Sequence, residues 1–119
     1  MKEIINEIRE IEEIRIRVIL FKLYKSFLLL ISDQEEMGIG SVSLGSPPIL
    51  EGVKSTVASY NLFGIGKKML STIITERASN LLKAPVLLML FIKNYKKEEE
   101  LAKPIIDFLN EALSRTLEK

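Results

Sequence analysis

A chain of 119 residues, 47% hydrophobic and 28% charged, has the length and apolar content of one packed domain rather than a disordered segment. A net charge of +1 gives no electrostatic case for binding nucleic acid or an acidic membrane. There is no cysteine and no histidine, which removes disulfides, thiolate metal sites and the commonest general base together.

Ile4, Ile5, Ile8 and Ile11 fit a helical period, but Glu12-Glu13 reads as a hairpin turn and favours a strand over residues 3–11. Ile14, Ile16, Val18 and Leu20 then alternate as a strand. Its other side carries Arg15 and Arg17, then Ile19, Phe21 and Leu23, so that side begins wet and ends dry. Lys25-Ser26 leads into a strand over 26–32, with Phe27, Leu29 and Ile31 on one side and Leu28 and Leu30 on the other. A strand apolar on both sides cannot lie against water. Residues 32–36 read as a tight polar turn, and Met37–Leu44, lightened by Gly38 and Gly40, as the hairpin partner of the strand before it. Gly45-Ser46-Pro47-Pro48 ends that partner.

Val53–Leu62 alternates with modest hydrophobicity, which suits an edge strand. After a turn over 61–66, a helix is predicted from Gly66 or Lys67 to Leu82, with a buried stripe of Met69, Leu70, Ile73, Ile74 and Leu81, interrupted by Arg77. Lys83-Ala84-Pro85 stops it, and Val86–Ile92 is a second strand apolar on both sides. A basic turn over 93–97 precedes Glu98-Glu99-Glu100, which suit a helix N-terminus. The last helix runs to about Leu117, burying Leu101, Ile105, Phe108, Leu109 and Ala112, with Pro104 in its first turns. The longest apolar runs fall short of the ~20 residues that span a bilayer, and MKEIINEIRE is not a signal peptide. A soluble cytoplasmic protein is expected, and the wealth of Ile, Lys and Glu without Cys points to a thermophile.

The expected fold class is α+β: residues 1–119 form a single domain, a mostly antiparallel five- to six-stranded sheet with two helices on one face. Two helices cover one face only. The second face of strands 27–31 and 86–92 is therefore expected to dock on another protein, most simply a second copy through a two-fold interface. The alternative cover is the loop over 45–52 with the N-terminal segment. Phe27, Leu29, Ile31, Val86, Leu88 and Leu90 are the dimer-interface candidates, and Asp33, Glu35, Glu36, Lys93 and Tyr95 the candidates for contact with a partner.

No catalytic, cofactor-binding or metal-binding residue is assigned, and the protein is not expected to be an enzyme. Gly64-Ile65-Gly66-Lys67-Lys68 precedes a helix, as a phosphate loop would. A Walker A loop, however, needs glycine where Asn61 stands and Ser or Thr where Lys68 stands. Asp33, Glu35 and Glu36 read as a solvated acidic turn before they read as a cation site. Ser41, Ser43, Ser55 and Ser59 have no histidine to activate them. The basic run 93–97 holds one aromatic, Tyr95, too few for an RNA surface.

Phe27–Leu44, an apolar strand, a polar turn, Met37-Gly38 and then Val42-Ser43, resembles the hairpin of the proteasome assembly chaperone 3 family. Leu62-Phe63-Gly64 is similar to that family's Leu-Leu-Gly before its first helix. Ala84-Pro85-Val86-Leu87-Leu88 with Lys93 is similar to its apolar strand closing on a lysine. The likeness runs in order through residues 14 to 113, as for an archaeal-type relative, and the chaperone 4 family shares the pattern. The resemblance implies a non-catalytic chaperone that dimerises through its sheet, homodimeric or paired with a paralogue, and binds an α-subunit in assembling the α-ring of the 20S proteasome. Ile74 departs from the small residue usual in the family's first helix. The C-terminal Leu117-Glu118-Lys119 lacks the hydrophobic-Tyr tail by which other proteasome-binding factors dock. The competing reading is a roadblock- or longin-like dimeric scaffold for GTPases or trafficking partners, which places a long helix among its early strands.

Overall fold

A computed structural model describes residues 1–47, 56–61, 67–94 and 97–117. The chain opens as a three-stranded meander: β1 (Lys2–Ile11), β2 (Ile14–Leu23) and β3 (Ser26–Ser32), each antiparallel to the next. Glu12 and Glu13 both take positive φ, 50° and 66°. Such mirror-image two-residue turns match the right-handed twist of the strands they join, which settles residues 3–11 as strand. The second turn is equally tight, with Leu23 opposite Ser26 and Lys25 at φ 50°.

The remaining strands are β4 (Ser41–Ser46), β5 (Thr56–Asn61) and β6 (Val86–Phe91), and the six-stranded sheet runs β1-β2-β3-β6-β4-β5. β6 lies between β3 and β4, parallel to β3 and antiparallel to β4. The expected hairpin between strand 26–32 and residues 37–44 is therefore corrected: the two strands are not neighbours. The physical reason is that β3 and β6 are both apolar on two sides, and adjacent central positions keep both away from the sheet edges. The serine- and glycine-bearing β4 moves outward, and β5 forms the edge, as its modest hydrophobicity predicts. The fold class is α+β with a mostly antiparallel sheet, as expected.

Both helices, α1 (Lys68–Leu82) and α2 (Glu98–Leu117), lie on one face of this sheet. α2 buries all five residues of its predicted stripe and Leu113 besides. It is tied to β1 by ion pairs Arg9–Glu111 and Arg115–Glu7, with the Arg9 guanidinium 4.5 Å from the centroid of the Phe108 ring. α1 differs from its predicted stripe. Leu70 and Ile74 are fully buried, but Met69 and Ile73 are 45% and 39% exposed, and the rest of the buried face is Ser71, Thr75, Ala78 and Ser79. Arg77 donates to Asn110 Oδ1 (3.1 Å) on α2 and so belongs to the wet seam between the helices.

The cause of this rotation lies in the strands beneath. β4 and β5 present Ser43, Gly45 and Ser59 to α1. Ser43 shares hydrogen bonds with Ser59 (2.5 Å) and with Ser71, and Ser59 shares one with Thr72 (2.7 Å). Buried hydroxyls are tolerated because each finds a partner. These serines are thus structural, while Ser55 lies outside the described residues. At Gly45 a Cβ would stand 2.7 Å from Thr75 Cγ2, so glycine lets the helix approach the strand. Gly45→Ala is expected to cost about 1–3 kcal/mol by overpacking. Thr75→Ser removes the obstructing methyl, so urea midpoints should show Gly45→Ala costing clearly less in that background.

Candidate protein-protein interface

The strand registers place two apolar rows across the face that carries no helix. Ile19, Leu30, Met89 and Val42 form one row across β2, β3, β6 and β4; Phe21, Leu28, Leu87 and Leu44 form the next. Seven of the eight are half-buried, and Leu44 is 55% exposed. Among the described residues, no element covers these rows. A contiguous apolar surface of this kind marks an interaction site rather than scattered surface hydrophobics. The N-terminal segment proposed as an alternative cover is instead the edge strand β1; residues 48–55, which include most of the loop proposed with it, lie outside the described residues.

This arrangement corrects the choice of interface side chains. Phe27, Leu29, Ile31, Val86, Leu88 and Leu90 all point toward the helices. The last five are completely buried in the chain's own core, and Phe27 packs against that core. Those five have no surface to offer a partner, and Phe27 keeps only part of its own. The signal that separates the two faces was present in the hairpin β2–β3. Its two-residue turn pairs Leu20 with Leu29 and Val18 with Ile31. The clean apolar side of β2, opposite Arg15 and Arg17, therefore drags Leu29 and Ile31 into the core with it. Parity within β3 or β6 alone cannot make that choice.

At one end of the open face the rows give way to a polar structure. Ser32 is fully buried; its Oγ donates to the Glu36 carbonyl (3.0 Å) and accepts from the Gln34 N–H (3.0 Å), shaping the turn that follows β3. Asp33 reaches across to the exit of β6. Its Oδ1 accepts from the Lys93 N–H and its Oδ2 from the Asn94 N–H, each at 3.0 Å, while the Asp33 N–H donates to the Phe91 carbonyl (3.2 Å). Asp33 thus serves the chain's own backbone. Glu35 and Glu36 are exposed. Lys93 is exposed too, with Nζ 5.7 Å from the centroid of the Phe91 ring. Tyr95 lies outside the described residues. The connection to β4 then crosses β6 with Gly38 flat on the Phe91 ring, where a Cβ would come within 2.8 Å.

Beside this turn lies a groove of about 390 Å³ lined by Ile8, Arg15, Arg17, Asp33, Gln34 and Glu35. Arg17 Nε is buried without a hydrogen-bond partner among the described residues. Among the described residues no group of three or more acidic residues is placed to hold a metal ion, and no helix is long and apolar enough to cross a membrane.

No family model matches the chain, and no curated protein matches it. A solved structure does: a chain of a novel chaperone complex for yeast 20S proteasome assembly, with a TM-score of 0.51 at 15% identity. The match covers 91% of this chain and 96% of that one. The two share a fold. At this identity the likeness concerns the architecture as a whole and not any single side chain.

The Asp33 clasp is open to a direct test. Asp33→Ala leaves two backbone N–H groups without their acceptor and should cost about 1–3 kcal/mol. Amide exchange should quicken at Lys93 and Asn94 first, whereas Glu35→Ala and Glu36→Ala should stay within about 0.5 kcal/mol of the parent.

Proposed function

We propose that the chain is a cytoplasmic, non-catalytic assembly factor for the 20S proteasome, binding α-subunits of the α-ring as a dimer formed through its open sheet face. The observation that carries this reading is the pair of apolar rows that no element among the described residues covers, on the side of the sheet opposite both helices. An enzyme of this size uses its concave surfaces to hold substrate, whereas a flat apolar sheet face suits another flat protein surface. The fold shared with the yeast assembly chaperone chain supplies the partner class, and the order of motifs through residues 14 to 113 agrees with it. Glu36 and Lys93, at the exposed end of the sheet, are the contacts proposed for the proteasome subunit.

A roadblock- or longin-like scaffold fits less well. Among the described residues five strands precede the first helix, so no long helix stands among the early strands.

Light scattering at micromolar concentration should report about twice the 13.5 kDa of one chain. Leu30→Glu, which sets a charge in the middle of the open face, should shift the protein to the monomer mass with its helical content kept, because Leu30 is not part of the core beneath the helices. A parent protein that runs as a monomer would remove the dimer from this reading. Affinity capture from the native host in mild salt is expected to recover a proteasome α-subunit, and repeated capture without one would count against the assembly role.

A further inference from the structure

The groove beside the open face holds an arginine that makes no ion pair among the described residues. Arg17 stands two residues before Ile19 on the same side of β2, so it continues the apolar surface at its polar end. Its Nε is buried and has no partner, and neither Arg17 nor Arg15 makes an ion pair among the described residues. A guanidinium presents its donors as a fork, and a carboxylate fills two of them at once. Arg17 as a whole is half-buried and lines the groove, so the rest of its guanidinium is open to an acceptor that enters there.

The groove also carries its own acids. Asp33 is committed to the amides of Lys93 and Asn94. Glu35, in contrast, is exposed and has no ion pair among the described residues, and it lines the same groove as Arg17. A two-fold interface brings one patch against itself: residue i of one copy meets residue j of the other, and j meets i. A patch that holds both an arginine and a carboxylate without ion-pair partners among the described residues offers opposite charges to its own rotated copy. Ile8, 43% exposed in the same groove, offers apolar contact beside the charges.

We propose that, in a two-fold dimer through the open face, the groove of each copy receives the Glu35 carboxylate of the other, with Arg17 as the main donor and Arg15 beside it. This rests on the dimer reading above and adds a specific pairing to it. The apolar rows supply the area, and the two symmetry-related ion pairs fix the register in which the sheets meet.

A charge exchange followed by sedimentation equilibrium tests it. Arg17→Glu and Glu35→Arg should each weaken the dimer by about tenfold or more. The double variant, which restores opposite charges across the axis, should return to within about threefold of the parent. Circular dichroism melts check that each variant is folded, and Arg17→Gln serves if Arg17→Glu is not. Single variants that dimerise like the parent, or a double variant no tighter than the weaker single, would overturn the pairing. Loss of the dimer in Leu30→Glu but not in these variants would leave the dimer standing and remove only the pairing. A parent that never dimerises would remove both. Arginine variants that lose capture of an α-subunit while still dimerising would assign the groove to that other partner and overturn the second copy as its occupant.

Discussion

Two strands that are apolar on both sides impose the constraint on which the rest of this structure depends. β3 and β6 cannot sit at an edge, because an edge would expose their backbone and one apolar side together. They take the centre, side by side and parallel, and every other strand is arranged around them. β6 comes late in the chain, after α1, so its insertion between β3 and β4 separates two strands that are adjacent in sequence. The connection that spans the gap must pass over Phe91, and the lack of a side chain at Gly38 lets it do so. One demand for burial thus explains the strand order, the crossover and a glycine.

The two halves of the helical layer are held differently. α2 lies on a conventional apolar surface and adds ion pairs to β1 at its margin. α1 lies on serine and glycine, and its closeness to the sheet comes from small side chains and a connected set of hydroxyls. Close approach gains dispersion contacts that a bulkier seam would lose, but every hydroxyl in it must stay paired. The same logic governs the far end of the sheet. There Ser32 and Asp33 satisfy the backbone of two strand ends at once, leaving Glu35, Glu36 and Lys93 to the solvent.

The open face is the counterpart of this economy. Two helices are enough for one side of six strands, and the strand registers leave two rows of four apolar residues on the other. Those rows end at Arg17, whose side-chain nitrogen is buried and unpartnered. Apolar area and an arginine Nε without a partner among the described residues thus meet at one margin of the sheet.

Much of this was legible in the chain itself. The alternation of Ile14 to Leu20, the doubly apolar runs at 27–31 and 86–92, and the stripe of the last helix each carry their own periodicity, so the class of fold, the edge role of β5 and the surplus of apolar surface follow from sequence. Which strands are neighbours does not follow, because β3 pairs with β6 across more than fifty residues and no local pattern encodes that partner. The facing of β3 and β6 was equally hidden while each strand was taken alone, since both their sides are apolar; only pairing with the one-sided β2 sends Leu29 and Leu88 inward and Leu28 and Leu87 outward. For the first helix, periodicity favoured the large residues Met69 and Ile73, but the small residues of β4 and β5 admitted Ser71, Thr75 and Ala78 instead. Local periodicity determined what each segment is; the burial of all segments against one another decided which side each one turns to the core.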